Sequence, residues 1–251
     1  MGRARAAAAL GMGRARAAAA LGMGHARAAA ALGMAHSRSS RVNDARSSRG
    51  SGVTGYTGFM ATGQWLTDSV GTRWFFDSSA LSLDFGYTGD YGYGVAAWEH
   101  LHQPADLSAW LVDRFGPLSQ PATTSELRQA LRLRAAITAI ARALAGDSAP
   151  SPVDIDTVNE FADGADIAPL LAGGQGAPRA ATVGRALSSI ARDAVATFSA
   201  GPGRVRHCAA GNCALIFLDT SRPHSRRWCS MRRCGNRTKV RIHRSRGKEV
   251  M

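Results

Sequence analysis

The only cysteines in the chain are Cys208, Cys213, Cys229 and Cys234, all within its last 44 residues. They read C-x4-C-x15-C-x4-C. Two close pairs separated by a short run of chain can bring four thiolates to one point, which is what a structural Zn²⁺ requires. Its geometry is tetrahedral, with Zn–S near ~2.3 Å and no open position for a substrate. Four intervening residues lie at the loose end of the usual spacing for zinc pairs. Gly211 and Gly235 ease the tight turns this spacing demands. Cys229 and Cys234 cannot share one regular helix face, because five residues at ~100° each leave their side chains roughly 140° apart. Cys229 is therefore expected in a turn and Cys234 near the start of a following helix. The alternative is two disulfides, in any of three pairings. It needs an oxidising compartment, and the chain has no clean secretory signal. No C-x-x-C is present to support a thioredoxin-type redox role.

Cationic side chains surround these thiols. Residues 204–251 carry thirteen Arg and Lys against only Asp219 and Glu249. Residues 1–50 are also basic, with nine Arg and the single acid Asp44, whereas 51–203 are net acidic with fifteen Asp and Glu against nine Arg. An acidic middle with basic ends, and a formal net charge of +13 overall, is the electrostatic footprint of a polyanion binder. Arg222, His224, Arg226 and Arg227 lie in a turn between the cysteine pairs, and Arg232 and Arg233 lie within the second pair. Beyond Cys234, the segment GNRTKVRIHRSRGK suits a helix with Asn236 as its N-cap. On it Arg237, Arg241, Arg244 and Lys248 follow at i, i+4, i+7 and i+11, with Lys239 and Arg246 beside them. Such a stripe fits along phosphates or into a groove. ALIFLD between the pairs reads as a strand, SRPHS as a turn and RRWCS as the return. Leu215, Phe217 and Trp228 are expected to cover the metal.

The rest of the chain must position this module. The first 33 residues are three near-identical 11-residue units, MGRARAAAALG twice and then MGHARAAAALG. Each begins with Met, so a start at Met34 or Met60 is an alternative. An Arg- and Ala-rich transit peptide is another reading. Residues 35–71 lack periodicity, and 1–71 is expected to be a disordered low-complexity extension. Order is expected from Trp74, with WFFDSSALSLDFGYTGDYGYG forming one or two short strands and a loop. PADLSAWLVDRFGP reads as a helix with Leu107, Trp110, Leu111 and Phe115 on one face. The clearest helix is 124–145, opened by the capping box Thr123-x-x-Glu126, striped with Leu127, Leu131, Ile137, Ile140 and Leu144 and closed by Gly146. Ser151-Pro152 starts a shorter helix with Ile155, Val158 and Phe161. A final helix over 180–199 carries Val183, Leu187, Ile190, Ala194 and Phe198. Gly201-Pro202-Gly203 marks the boundary to the cysteine module. The Gly-rich AGGQGAP lacks the Lys-Ser/Thr ending of a phosphate-binding P-loop. Tyr87, Tyr91, Tyr93 and Trp98 read as core and loop packing rather than a ligand pocket. No stretch of about 20 apolar residues exists to span a membrane.

Two runs of residues carry a resemblance. Cys-x4-Cys, then FLD-x-[ST]-R, then SRRWCSM-x-x-CGNR-x-K-x-R resembles the CGNR zinc-finger family, with Cys234-Gly235-Asn236-Arg237 as the name motif. Upstream, SALSLDFGYTG followed by D-L-x-x-W-L resembles the ABATE domain that such proteins carry, which is associated with stress-induced transcription regulation. Tyr87-Thr88 stands where the family pattern commonly has Asn-Thr.

The fold class expected is a mainly α N-terminal domain with a short β segment, followed by a small zinc-ribbon-like module of β-hairpin and basic helix. The expected organisation is an extension over 1–71, an ABATE-like regulatory domain over 72–200 and a CGNR zinc finger over 204–248. The expected function is a zinc-dependent, double-stranded-DNA-binding transcription regulator of the bacterial cytoplasm and nucleoid. Its helical domain would sense a small-molecule effector or form a homodimer. RNA binding and a protein-interaction zinc module are the alternatives. The tail has one Trp and one Phe, both better placed as core than as base-stacking platforms, which favours duplex DNA. No His-Glu-x-x-His, G-x-S-x-G or nucleophile–base pair points to an enzyme, and four Cys ligands leave zinc no catalytic position.

Overall fold

The computed structural model describes residues 62–67, 73–91, 98–177 and 179–241. The repeats, Tyr93, Arg244, Arg246 and Lys248 lie outside the described residues. Strands β1 (Gln64–Thr67) and β2 (Arg73–Phe76) pair antiparallel, with Leu66 opposite Trp74. Helices α1 (Leu81–Gly86), α2 (Pro104–Phe115), α3 (Thr124–Ala145) and α4 (Pro152–Ala162) follow. A second hairpin, β3 (Leu170–Ala172) with β4 (Gln175–Ala177), leads to α5 (Val183–Phe198). The chain then enters β5 (Val205–His207), β6 (Ile216–Leu218) and a π-helical turn, Met231–Gly235. That turn runs on as α-helix α6 over 236–241. No described helix is long and apolar enough to cross a membrane.

The helical frame follows its sequence signals. Thr123 accepts the Glu126 N–H at 3.2 Å, and Glu126 accepts the Thr123 N–H at 2.8 Å. Both orphan donors at the start of α3 are thus satisfied. Helix α3 buries Leu127, Ala130, Leu133, Ile137 and Ile140 at helical spacing. Facing them are Val183, Leu187, Ile190 and Ala194 of α5, with Leu107 and Leu111 of α2 in the same core. The AGGQGAP segment forms the turn and second strand of the β3–β4 hairpin. Gly173 and Gly174 both have positive φ, +60° and +78°. That is the pairing a two-residue type I′ turn needs and only glycine adopts freely.

Two expectations are corrected here. The first concerns SALSLDF, expected as a strand; the structure makes residues 81–86 a helix with all six residues buried. Its alternating pattern has a different cause. Leu81 and Phe85, four apart, face the helical core, while Ala80, Leu83 and Tyr87 face a second core. Being covered on both sides gives a short helix an alternating apolar sequence. The N–H of Ser82 in its first turn is met by Asp193 of α5 at 2.7 Å.

The second correction is the extent of the extension. Strand β1 lies inside 1–71, yet Leu66 is fully buried. Gly63 just before it donates its N–H to Asp84 at 2.6 Å and accepts from Arg114 at 3.0 Å. Gln64 and Leu66 alternate inward against exposed Trp65, so β1 belongs to the fold.

Candidate metal centre and its basic surface

The hairpin β5–β6 aligns Val205 with Leu218 and His207 with Ile216. The strand partner of ALIFLD is therefore the segment before Cys208. RRWCS, expected as the return strand, is a turn. Leu215, Ile216 and Phe217 are buried in the same core as all four cysteines. That core is completed by residues from far upstream: Leu66, Phe76, Leu83 and Tyr87, with Trp74 and the α3 end at Leu144 packed on it.

The four sulfurs converge. All lie within 4.8 Å of one another, and all four residues are buried. Cys213 Sγ is 3.8 Å from Cys229 Sγ, and Cys229 Sγ is 3.5 Å from Cys234 Sγ. Sulfurs at ~2.3 Å from one ion at a tetrahedron's corners stand ~3.8 Å apart. The donor set and spacing thus fit Zn²⁺, and the cysteines are free thiols, not disulfides. Packed together, they compete for protons. Cys234 is held well below the ordinary thiol range by hydrogen bonds from Cys208, Cys213 and Cys229, and Cys208 is lowered to about 7 by those from Cys213 and Cys229. Cys213 and Cys229 are pushed up, each first by its contact with Cys208. A divalent cation resolves this competition by taking all four as thiolates.

Residues around the thiols hold them in place. Cys229 donates its N–H to Cys208 Sγ at 3.4 Å. Arg237 donates to Cys234 Sγ at 3.2 Å. Such outer partners orient ligands and offset the negative charge of a four-thiolate site. Cys234 lies in the π turn that runs directly into α6, near the start of that helix as expected. Asn236, expected as N-cap, has helical φ and ψ (−65°, −42°). Ser230 occupies the cap position.

The basic residues divide by environment. Arg222, His224, Arg227, Arg232, Arg237, Lys239 and Arg241 are exposed. Arg233 is half-buried, with its guanidinium 4.6 Å over the Trp74 ring. Arg226, expected as a nucleic-acid contact, is corrected: its donors point inward. It bonds the carbonyls of Asp77 (2.8 Å), Cys229 (2.9 Å) and Trp228 (3.3 Å) and the Ser79 hydroxyl (3.0 Å), and it lies 4.1 Å over Phe217.

Two residues to which the sequence assigns no organising role shape this region. Asp219 is fully buried and accepts from Ser221 N–H (2.9 Å), Ser221 Oγ (2.6 Å) and Arg226 N–H (3.0 Å). These bonds shape the 219–226 turn, as an Asp two residues before a Ser could have signalled. Tyr87 was read as packing, and it is buried 4.4 Å from Tyr91. Its hydroxyl also donates to Ile216 O at 2.9 Å and accepts from Ile216 N–H at 2.6 Å.

Residues 204–247 match the family model described as "CGNR zinc finger". Residues 79–201 match the ABATE model, described as "Putative stress-induced transcription regulator". No curated protein matches the chain.

Proposed function

We propose that this chain, which belongs to the CGNR zinc-finger family and carries an ABATE region upstream, is a DNA-binding transcription regulator whose zinc finger contacts the duplex. One observation carries the reading. Within 204–241 the sole acid, Asp219, is fully buried. The described surface of the finger therefore presents cations with no anion among them. Arg222, Arg227, Arg232, Lys239 and Arg241 are exposed there, and zinc ligation by Cys208, Cys213, Cys229 and Cys234 would fix them on a rigid frame. Exposed cations on a rigid frame match the regular charge of phosphates better than cations on a mobile tail. In this reading the upstream domain receives the signal or pairs two copies, and the protein works on the nucleoid in the cytoplasm. Arg244, Arg246 and Lys248 extend the contact in the sequence reading.

The test is binding of the full, zinc-loaded chain to duplex DNA as salt is varied. If about five cations meet phosphates, log K against log[salt] has a slope of roughly −4.5 by counterion release. No measurable affinity at about 50 mM salt, where the electrostatic contribution is strong, overturns the reading. Tighter binding to RNA of matched length under the same conditions moves the assignment to RNA.

A further inference from the structure

We infer that the zinc finger and the upstream domain form one thermodynamic unit, so that loss of metal at the four cysteines is transmitted into the ABATE region through Tyr87 and Arg226. The inference holds whether or not the finger binds DNA. It rests on three contacts that bridge the two regions. The Tyr87 hydroxyl, at the end of α1, satisfies both the N–H and the carbonyl of Ile216. Arg226 joins the carbonyl of Cys229 to the carbonyl of Asp77 and the hydroxyl of Ser79. Leu218 donates its N–H to Ser78 O at 2.9 Å. Behind these bonds lies a shared core in which Phe76, Leu83 and Tyr87 pack in one cluster with all four cysteines.

The transmission follows from where each contact ends. Zinc held by Cys208, Cys213, Cys229 and Cys234 would tie the loop carrying Cys229 to the hairpin, so that metal binding and the order of this loop are coupled. One guanidinium touches both that loop and the turn between β2 and α1. When the loop loosens, Arg226 loses the Cys229 carbonyl, and its hold on Asp77 and Ser79 becomes a bond to a moving partner. The β6 backbone at Ile216 moves with the finger, and the buried Tyr87 hydroxyl loses both of its bonds to Ile216. Coupling of this kind is reciprocal. The factor by which bound zinc strengthens the Tyr87–Ile216 contact equals the factor by which that contact strengthens zinc binding.

Hydrogen exchange of the full chain, with and without a zinc chelator, tests the inference. Removing zinc is expected to deprotect the segment 73–91 together with 205–241. Protection in 73–91 that stays unchanged while 205–241 opens overturns the coupling. Tyr87→Phe keeps the ring and removes the hydroxyl. It is expected to weaken zinc affinity about 10-fold, the order set by leaving one buried backbone pair unmet. Wild-type zinc affinity in Tyr87→Phe overturns the role assigned to Tyr87. If that variant fails to fold, the exchange experiment on the unaltered chain still decides the coupling.

Discussion

Deleting strand β1 should destabilise the whole ordered chain. Leu66 has no exposed surface, and truncating a fully buried Leu to Ala costs about 2–5 kcal/mol, part transfer and part cavity. We take about 3 kcal/mol for Leu66→Ala. A folded region the size of the 168 described residues loses about 2–4 °C of Tm per kcal/mol, so Leu66→Ala should melt about 6–12 °C lower. Removal of residues 1–71 should cost more. It takes away Leu66, the Gly63 N–H that Asp84 accepts and the Gly63 carbonyl that Arg114 reaches. Phe76 would also lose its strand partner, Gln64. Removal of 1–61 should leave Tm within about 1 °C, because the deleted repeats offer few apolar side chains to bury. Calorimetry on the three proteins is the assay. Zinc must be saturating in each, since a ligand bound only to the folded state shifts Tm by mass action. Equal melting temperatures for the 1–71 and 1–61 deletions would refute the placement of β1 in the fold.

Elemental analysis should find one Zn²⁺ per chain, and four free thiols after metal removal under denaturing conditions; no metal with oxidised cysteines would refute the site. Arg237→Ala should lower zinc affinity about 10–100-fold, as loss of an outer-shell partner does, and a competition titration with a chromogenic chelator reads it. Arg241→Ala should keep full zinc content and flatten the salt slope of DNA binding by about 1; lost zinc there would show a structural role instead. Asp84 gives a pH signature. Burial pushes its carboxyl up to about 6 against the donors Ser78 and Gly63 and the nearby Arg114 charge, with Asp77 adding to the rise. The folded state then holds this proton more tightly than the unfolded state does. The contribution is full below about pH 4, and about 3 kcal/mol in all is lost as pH rises through about 6. Asp84→Asn should remove that slope, read as the difference between variant and parent in denaturant melts; parallel pH profiles would refute it.

The parts of this protein legible in its sequence are those decided by neighbours along the chain. The capping box at Thr123 and Glu126, the apolar stripe of α3 and the cysteine spacing each involve partners that sequence proximity supplies. Helix α1 was not legible, because a period-2 pattern arises equally from a half-buried strand and from a short helix covered on two sides. Only the second core, to which residues more than 100 positions away contribute, separates the two cases. Arg226 shows the same limit more sharply. Among the arginines flanking the cysteines it is indistinguishable by type or spacing from Arg227 beside it. It differs because the Asp77 carbonyl and the Ser79 hydroxyl, 149 and 147 residues earlier, lie where its guanidinium can reach both. Charge counting assigns every Arg of the tail to a polyanion. Geometry withdraws Arg226 to the bridge between the two regions and Arg233 to the face of Trp74, and the DNA contact proposed above rests on the exposed cations. A finger bridged in this way cannot swing freely on the Gly201-Pro202-Gly203 segment. Its cations are therefore held in an orientation set by the helical domain, and the proposed coupling through Tyr87 gives a change inside that domain a route to the finger.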